Sequence, residues 1–401
     1  MEAINKLNPW WFFKDWDKYD KNLSEWENQK VKWIPEWIND VSLKPSSLNF
    51  IYGPRQTGKT TGVKLLIKKL IEEERKDPST LFYLDLDYVT SLIEFRRILE
   101  ELLKEKERRG KDKSYLIVLD EVSSIEEWYR ILKYFIDLGE FRKDVIVVTG
   151  SSSLGMEKIP ERFPGRRGEG KDVIVLPLSF QQYVKVLGYK KEELIYNKNL
   201  ALALFEDYLN VGGFPKSINK NPDAKDSIIN FILSEIYKAK KSPRIAQDIF
   251  YSLLSKLPSA ISYNSIANDI GVSHNTVREY LEFLSDIYLL NFAYIKVDDK
   301  VYKNKEKKVF FRDPFLLRVI ADWVHGEFDE SALLENVVQE HLYRVCGEVY
   351  YFKNSYEIDV ITRKYKLEIK SKRSHKSYPK GVEVLTKEKI PEFLLGISET
   401  L

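Results

Sequence analysis

Two rhythms of apolar and polar residues follow one another along the chain from about residue 46. The apolar runs LNFIY, LFYLDL, YLIVLD and VIVVT are short and rich in β-branched and aromatic residues. Between them, in stretches such as TTGVKLLIKKLIEEE and SLIEFRRILEELLKEKERR, apolar residues recur every three or four positions, as on one face of a helix. Strands that alternate with helices form a parallel sheet. The pattern therefore predicts an α/β domain over residues 46–180.

The spacing of apolar residues in the rest of the chain differs from this pattern and indicates four further segments. Residues 1–45 hold six of the eight tryptophans, and we expect this arm to pack its aromatic side chains on the next domain, because they bury large areas. Residues 181–243 have the spacing of helices. Residues 244–305 predict a small helical domain that ends in a strand pair, and residues 306–401 predict a last α/β domain.

Composition excludes several classes of protein. The chain has 401 residues, of which 43% are hydrophobic and 31% charged, and its net charge of +3 is close to balance, so it says nothing about partners. The one cysteine, Cys346, excludes an intramolecular disulfide and fits a reducing cytoplasm. No apolar run approaches the roughly 18 residues of a membrane span, and the charged N-terminal stretch is not a signal peptide. We expect a cytoplasmic protein of two to four domains with no membrane partner.

A glycine-rich segment between the first strand and the first helix fits the phosphate-binding pattern G-x-x-x-x-G-K-[ST]. It comprises Gly53, Pro54, Arg55, Gln56, Thr57, Gly58, Lys59 and Thr60, followed by Thr61. Glycines let backbone N–H groups approach phosphate oxygens, and the next helix directs its positive end at them. A chance match in a glycine turn is the alternative, but the flanking strand and helix are the context that the motif requires. We expect this segment to bind the phosphates of ATP.

Polar residues at the start of that helix and at the end of the third strand complete the predicted ATPase site. Lys59 would reach the β- and γ-phosphates, and the Thr60 hydroxyl would coordinate Mg²⁺. Asp120 ends the apolar strand LIVLD, where a carboxylate that supports Mg²⁺ belongs. Glu121 follows it and is the predicted general base for an attacking water. Two acids in a solvated turn are the alternative, which the presence of the phosphate motif disfavours.

Two further segments supply candidates for catalysis. At the end of the fourth strand we favour Ser151, with Thr149 second, as the group that senses the γ-phosphate or orients the water. In FPGRRGEG, Arg166 and Arg167 lie between glycines, so either is a candidate arginine finger on a nucleotide bound by its own chain or by a neighbour. The alternatives are a plain loop of small residues and a solvated basic loop.

These motifs, taken together, resemble those of the archaeal AAA+-like ATPases, P-loop proteins that often carry a C-terminal domain of unknown function. The segments that carry the resemblance are GPRQTGKTT, the DEV after the third strand, TGSSS, the GRR loop, LPLSFQQY and GGFP. The resemblance covers most of the chain from about residue 47. It implies a P-loop NTPase parallel sheet, a helical lid over 181–243, a winged-helix domain over 244–305 and a small α/β restriction-nuclease-like domain over 306–401.

Residues 261–290 have the rhythm of a helix-turn-helix. SYNSIANDIG predicts a helix that ends at Gly271, and the next helix follows with a serine N-cap. In a DNA reader, the residues that open the second helix contact bases or phosphates. These candidates are Ser273, His274, Asn275, Thr276 and Arg278. A module used only for packing is the alternative, since Glu279, Glu282 and Asp286 on the same helix suit phosphates poorly.

The last segment resembles the PD-(D/E)XK nuclease pattern. Asp359 ends one apolar strand, Glu368 and Lys370 form E-x-K on the next, and Glu335 lies on the preceding helix. In that chemistry the three carboxylates would hold a divalent metal, and Lys370 would steady the attacking water or the scissile phosphate. Residues 363–380 carry eight basic residues against one acid, which suits a phosphate backbone. A strand edge blunted by lysines is the alternative, and the pattern leaves open whether the site is active.

These features together predict an Mg²⁺-dependent ATPase that acts on DNA through its C-terminal domains. ATP and Mg²⁺ are the predicted cofactors, and DNA is the predicted partner. A homo-oligomer is required if an arginine acts on a neighbour's nucleotide. Two alternatives stay open: a slow regulatory nucleotide switch that binds a protein partner, and an ATP-gated, metal-dependent nuclease.

Overall fold

The computed structural model describes residues 2–151, 162–354, 356–371 and 378–397. It divides into two compact units, Met1–Leu176 and Pro177–Leu401. Among the described residues, no helix is long and apolar enough to cross a membrane. The basic residues Lys372, Arg373 and Lys376 of the predicted basic run lie outside the described ranges.

A five-stranded parallel sheet forms the centre of the N-terminal unit, as the alternating pattern predicts. Its strands are β1 (Leu48–Gly53), β2 (Leu81–Asp85), β3 (Leu116–Asp120), β4 (Val145–Ser151) and β5 (Asp172–Ile174). Their order across the sheet is β2-β3-β4-β1-β5, and all neighbours run parallel. The four longer strands are almost wholly buried, which is typical of a sheet covered on both faces.

Helices and the N-terminal arm cover this sheet. The helices are α1 (Glu2–Leu7), α2 (Lys21–Glu27), α3 (Lys59–Glu72), α4 (Leu92–Gly110) and α5 (Trp128–Asp137). The α3 helix follows β1 directly after the glycine-rich loop, and α4 begins where the Ser91 side chain accepts a hydrogen bond from the Glu94 N–H. Parallel strands joined through helices bring the carboxyl ends of β1, β3 and β4 to one edge of the sheet.

The arm is part of the core of the N-terminal unit. Trp10, Trp16 and Trp37 are buried in one cluster with residues of α3 and the sheet. The rings of Trp10 and Trp16 meet edge to face with centroids 4.8 Å apart, and Trp10 Nε1 donates to the Leu81 carbonyl at 3.0 Å. A Cβ added to Gly62 of α3 would lie 2.3 Å from the Trp37 ring, so this helix approaches the arm closely.

The C-terminal unit combines many helices with a second sheet. Its helices are α6 (Phe180–Val186), α7 (Lys191–Tyr196), α8 (Lys198–Val211), α9 (Pro215–Ile218), α10 (Ala224–Lys238), α11 (Pro243–Leu254), α12 (Tyr263–Ile270), α13 (His274–Asp286), α14 (Pro314–Val324), α15 (Glu330–Cys346) and α16 (Ile390–Gly396). Helices α6–α10 occupy the segment in which the sequence predicts only helices.

The second sheet is mixed and joins two segments that the sequence analysis separates. Its strands are β6 (Leu290–Val297), β7 (Lys300–Phe311), β8 (Tyr350–Lys353), β9 (Glu357–Ile361), β10 (Lys366–Lys370) and β11 (Glu383–Thr386), in the order β11-β10-β9-β8-β6-β7. The β6–β7 hairpin, predicted as part of the winged-helix domain, pairs through β6 with β8. The predicted boundary between residues 305 and 306 therefore falls inside β7.

The LPLSFQQY and GGFP motifs interlock in this unit. The Leu178 N–H donates to the Gly213 carbonyl at 2.8 Å, and a Cβ on Gly213 would lie 2.1 Å from the Leu178 carbonyl oxygen. The Gly213 N–H in turn donates to the buried Asp313 carboxylate at 2.7 Å, whose other oxygen caps α14. Burial raises the pKa of Asp313 to about 7. The glycine pair is thus required by close backbone packing.

His341 fixes α15 against the start of α6. Its Nε2 accepts a hydrogen bond from the Phe180 N–H at 2.9 Å, so Nδ1 carries the proton that it donates to the Val337 carbonyl, 2.7 Å away. Burial, together with the nearby Arg344, lowers the pKa of His341 to about 3. A protonated ring could not accept from Phe180, so the contact requires the neutral form.

Removal of a buried tryptophan from the arm tests whether the arm belongs to the core. Trp16 is 2% exposed, so Trp16→Ala leaves a cavity and should lower the free energy of unfolding by about 3–5 kcal/mol. Phe13→Ala is the matched control, because Phe13 lies in the same arm and is 60% exposed. Urea denaturation of both variants checks this, and equal midpoints for the two would contradict it.

Because the contacts of His341 require a neutral ring, we expect the stability of the protein to depend on pH. The folded-state pKa lies below the ordinary value of 6.5, so the contribution of the neutral ring is complete above pH 6.5 and is lost as the pH falls toward 3. The slope expected from one such group is about 1.4 kcal/mol per pH unit. His341→Gln removes the titration, so the difference in unfolding free energy between wild type and variant should shrink from pH 6.5 to pH 4. A constant difference over this range would refute the assignment.

Candidate functional site

The glycine-rich loop joins the end of β1 to the start of α3, as its motif requires. Gly58 has left-handed backbone angles, φ 83° and ψ 22°, and is the residue before the first turn of α3. Gln56 also has a positive φ, 69°. These turns bring the chain into α3 at Lys59, where the first backbone N–H groups have no acceptor within the helix. The loop therefore presents donors and the positive end of a helix to an anion.

Lys59 lies across the mouth of this loop. Its Nζ donates to the carbonyls of Gly53 at 2.9 Å and Pro54 at 2.8 Å, and the residue is only 4% exposed. The same Nζ is 3.9 Å from Glu121 Oε1. The ammonium group is thus held between the loop and the acidic end of β3.

Asp120 is buried at the end of β3, and hydroxyl groups surround it. Thr60 Oγ1 donates to Asp120 Oδ2 at 2.9 Å, Tyr83 donates to the same oxygen at 2.6 Å, and Thr149 donates to Oδ1. These three residues come from α3, β2 and β4. Burial raises the pKa of Asp120, and the neighbouring Glu121 adds to the rise. Among the described residues, the groups that donate hydrogen bonds to the Asp120 carboxylate are thus neutral hydroxyls.

The arrangement of Thr60 and Asp120 fits an Mg²⁺ ion bound together with a nucleotide. Hard divalent cations prefer oxygen ligands, and P-loop proteins bind Mg²⁺ through the hydroxyl after the lysine and a carboxylate that ends a nearby strand. Thr60 and Asp120 supply these two groups 2.9 Å apart at the N-terminal end of α3. The predicted roles of both residues are therefore compatible with their geometry.

Tyr83 is a member of the site that the sequence analysis did not identify. The Lys64 ammonium lies 3.6 Å from the centroid of its ring and 3.2 Å from the Asp20 carboxylate, which caps α2. A chain of contacts thus runs from the arm through Lys64 and Tyr83 to Asp120. A tyrosine in a buried apolar strand needs a partner for its hydroxyl, and that was the available signal.

Glu121 is held in a strained position next to Asp120. Its backbone is left-handed, with φ 55° and ψ 50°, which is costly for a residue with a side chain. The Ser151 N–H donates to Glu121 Oε2 at 3.1 Å, and the Glu121 N–H donates to Thr149 Oγ1 at 3.0 Å. Ser151 and Thr149 therefore both contact the acidic pair. Ser151 bonds to Glu121, and Thr149 bonds to both Asp120 and Glu121.

The GRR loop lies elsewhere in the N-terminal unit. Arg166 Nε is 2.6 Å from the Asp137 carboxylate, and Arg167 forms an ion pair with Asp172. The Leu48 N–H donates to the Arg167 carbonyl at 3.0 Å, at the start of β1. The phosphate loop follows the other end of this strand, about 17 Å away at 3.3 Å per residue. The structure pairs Arg166 with Asp137 and Arg167 with Asp172, and a finger role for either arginine, in its own chain or on a neighbour, stays a prediction.

The helix-turn-helix segment has the helices that its sequence predicts. The α12 helix ends at Ile270, before Gly271 in the left-handed conformation. The α13 helix begins at His274, and its N-cap Ser273 accepts from the Thr276 N–H at 3.0 Å. Ser273, His274, Asn275 and Arg278 are exposed, whereas Thr276 is half-buried. The start of α13 is thus accessible, but its DNA contacts stay a prediction.

The predicted nuclease-like carboxylates meet around a residue that the sequence analysis did not consider. Lys308 of β7 is 2% exposed, and its Nζ lies 2.8 Å from Glu335, 2.8 Å from Asp359 and 2.9 Å from Glu357. Burial lowers the pKa of Lys308, but the three carboxylates outweigh it and raise that pKa above its ordinary value. Burial and the nearby Asp359 raise the pKa of Glu335.

Glu368 and Lys370 face each other instead of a metal. Lys370 Nζ lies 2.6 Å from Glu368 Oε1, which also accepts from the Tyr378 hydroxyl at 3.1 Å. In the part of the chain that the structure describes, no three acidic, histidine or cysteine side chains are arranged to hold a metal ion. The metal-binding role predicted for Glu335, Asp359 and Glu368 therefore does not fit their geometry.

The hydroxyl of Tyr83 predicts an effect on the metal dependence of the nucleotide site. Tyr83→Phe removes one donor that orients Asp120 and should raise the Mg²⁺ concentration for half-maximal ATP hydrolysis about 10- to 100-fold. Tyr115→Phe is the matched control, since the Tyr115 hydroxyl bonds to the Lys106 and Gly110 carbonyls instead. A Mg²⁺ titration of hydrolysis compares the two. An unchanged Mg²⁺ requirement in folded Tyr83→Phe would show that this hydroxyl has no positioning role.

Known protein families match two parts of the chain. Residues 46–184 match the family model described as an AAA domain. Residues 202–325 match a domain of unknown function, DUF8612, which includes both α13 and the β6–β7 hairpin.

An uncharacterized protein of Haemophilus influenzae is 24% identical over 238 residues, which are 56% of this chain and 57% of that protein. An uncharacterized protein of Methanocaldococcus jannaschii is 27% identical over 171 residues, 37% of this chain and 38% of that protein. The chain thus matches 57% of the length of the first relative and 38% of the length of the second.

Solved structures that resemble the chain do so weakly. The Aeropyrum pernix ORC2 protein in ADPNP–ADP complexes has a TM-score of 0.40 and 13% identity, covering 70% of this chain and 88% of that one. The Aeropyrum pernix ORC1 protein in complex with DNA has a TM-score of 0.37 and 14% identity, with coverage of 69% and 86%. Scores this low do not establish a shared architecture for the whole chain. Residues 46–184, the part that matches the AAA domain model, contain the phosphate loop and the Asp120–Glu121 pair.

Proposed function

We propose that this protein binds ATP together with Mg²⁺ and hydrolyses it at the carboxyl edge of the N-terminal sheet. The observation that carries the proposal is the convergence of Lys59, Thr60, Asp120 and Glu121 at the end of β1 and β3. Each supplies a group that phosphoryl transfer to water requires. The AAA domain match over residues 46–184 supports the same reaction. We place this activity in the cytoplasm, because the chain has one cysteine.

Each residue of this site has a role that follows from its position. Lys59 exchanges its bonds to the loop carbonyls for bonds to the β- and γ-phosphates. Thr60 and Asp120 hold Mg²⁺, which neutralises charge on the phosphates when it is bound. Because hydroxyls already orient the Asp120 carboxylate, the metal ligand needs little rearrangement.

Glu121 is the proposed general base. The Ser151 N–H fixes one carboxylate oxygen, and the other oxygen lies 3.9 Å from Lys59 Nζ, on the side where the γ-phosphate would bind. The side chain is 16% exposed, so water can reach it. Glu121 accepts a proton from that water as the oxygen attacks phosphorus. Ser123 Oγ is 2.9 Å from Ser151 Oγ, which supports Ser151 in its position beside the base.

We propose further that hydrolysis is coupled to DNA through the C-terminal unit. The start of α13 exposes His274, Asn275 and Arg278, the positions that contact bases or phosphates in a helix-turn-helix. The β6–β7 hairpin beside it carries the exposed lysines Lys300 and Lys303, in the place of a wing. This supports a winged-helix interpretation of residues 244–311.

A regulatory nucleotide switch that binds a protein partner is the second candidate. The exposed face of α13 continues into Glu279, Glu282 and Asp286, which would repel a phosphate backbone and suit a basic protein surface. A homo-oligomer, in which Arg166 or Arg167 contacts a neighbour's nucleotide, is compatible with either candidate.

Steady-state ATP hydrolysis at low salt, with and without single- and double-stranded DNA, separates these functions. We expect DNA to raise turnover several-fold and the stimulation to fade as salt rises, as phosphate contacts do. Lys59→Ala should lose about 100-fold or more in rate, because it removes a cation from the developing charge. Lys69→Ala is the control, since Lys69 lies on the same helix and bonds Asn39.

Each outcome assigns a function. Slow turnover that is indifferent to DNA but lost in Lys59→Ala would identify a switch, and the search for a partner would move to proteins. Hydrolysis by Lys59→Ala at the wild-type rate would overturn the assignment of the phosphate loop as the ATPase site.

A further inference from the structure

The position of Lys308 changes the interpretation of the C-terminal carboxylates. An ammonium group has three N–H donors, and three carboxylate oxygens lie 2.8 to 2.9 Å from Lys308 Nζ. Such distances suit N–H···O bonds, whereas a divalent metal needs oxygens at about 2.0–2.6 Å. A metal ion between Glu335 and Asp359 would overlap Lys308 Nζ. The two cations therefore compete for one position.

The strand that carries Lys308 shows that this cation belongs to the packing of the unit. Alternate residues of β7 point to opposite faces of a sheet, and Lys308, Phe310 and Arg312 all point toward α15. Arg312 Nε lies 2.7 Å from Glu340 of α15, just as Lys308 lies 2.8 Å from Glu335 of α15. Two buried cations, Lys308 on β7 and Arg312 directly after its end, thus meet two buried acids on one helix.

Glu368, the remaining acid of the predicted site, and the second oxygen of Asp359 also have partners in the protein. Glu368 Oε1 is bound by Lys370 and Tyr378, and Asp359 Oδ2 accepts the Ile369 N–H at 2.9 Å. Glu368 Oε2 is buried and has no hydrogen-bond partner among the described residues. The other oxygen of Glu368 and both oxygens of Asp359 are held by protein cations and hydrogen-bond donors.

We propose that Lys308 is a built-in cation that takes the place of a divalent metal, so that residues 290–397 form a metal-independent module on a nuclease-like arrangement of residues. Without a metal to activate water, this module cannot cut a phosphodiester by the chemistry of the PD-(D/E)XK pattern. The proposal goes beyond the proposed ATPase function and does not depend on it, because it concerns residues of the C-terminal unit alone.

Binding of Mn²⁺ to the nucleotide-free protein tests this. Free Mn²⁺ is measured by electron paramagnetic resonance in wild type, Asp359→Asn, Lys308→Met and Lys308→Met/Asp359→Asn. We expect wild type and Asp359→Asn to bind Mn²⁺ identically, and comparison within each pair cancels any Mn²⁺ at the phosphate loop. Lys308→Met should gain one saturable site that the added Asp359→Asn abolishes. Saturating Mn²⁺ should also raise the melting temperature of Lys308→Met by several degrees, as ligand linkage requires.

Arg312→Met is the matched control. It removes the buried cation that directly follows β7, but Arg312 pairs with one carboxylate, Glu340, which Arg344 also binds at 2.8 Å. This variant should therefore gain no Mn²⁺ site, which separates replacement of a metal from mere loss of a buried charge.

Two results would overturn the proposal. One is a Mn²⁺ site in wild type that Asp359→Asn removes. The other is a folded Lys308→Met that gains no site. If Lys308→Met does not fold, because loss of one partner strands buried charges, the comparison of wild type with Asp359→Asn still decides the question.

Discussion

A buried carboxylate needs polar partners, and the hydrogen-bond partners of Asp120 among the described residues are neutral hydroxyl groups. Hydroxyls from Thr60, Tyr83 and Thr149 orient the carboxylate, but none removes its charge, and burial raises its pKa. The elements that supply these donors, α3, β2 and β4, all converge on the carboxyl end of β3. Their packing orients the carboxylate, and a cation bound beside it would offset the cost of burying its charge.

The C-terminal unit solves the same physical problem in the opposite way. Glu335 and Asp359 are as buried as Asp120, but Lys308 lies 2.8 Å from each. A covalently attached ammonium cannot leave, so the acids have no vacancy to fill. The two clusters show why a set of acidic residues in a sequence does not identify a metal site: the identity of the neutralising group decides, and that group comes from another strand.

The contrast between these two acidic clusters also explains which site residues the sequence could predict and which it could not. The phosphate loop, Lys59 and Thr60 are local in sequence, and Asp120 follows an unmistakable apolar strand, so spacing alone identified them. Ser273 was identified as an N-cap for the same reason. Lys308 is separated from Glu335 by 27 residues and from Asp359 by 51. In the sheet, β6 and β8 lie between β7 and β9, so only the side-chain contacts of the folded unit show which cation reaches which acid.

The β6–β7 hairpin links what the sequence separates into a winged-helix domain and an α/β domain. One face of β7 contacts the helix-turn-helix: Ile261 pairs with Lys307, whose ammonium lies 3.9 Å from the Tyr263 ring of α12. The next residue, Lys308, is buried against α15 and β9 on the other face. Adjacent residues of β7 thus contact α12 on one face of the strand and α15 and β9 on the other. The helix-turn-helix and the second sheet therefore share one strand and are packed into a single unit instead of two separate domains.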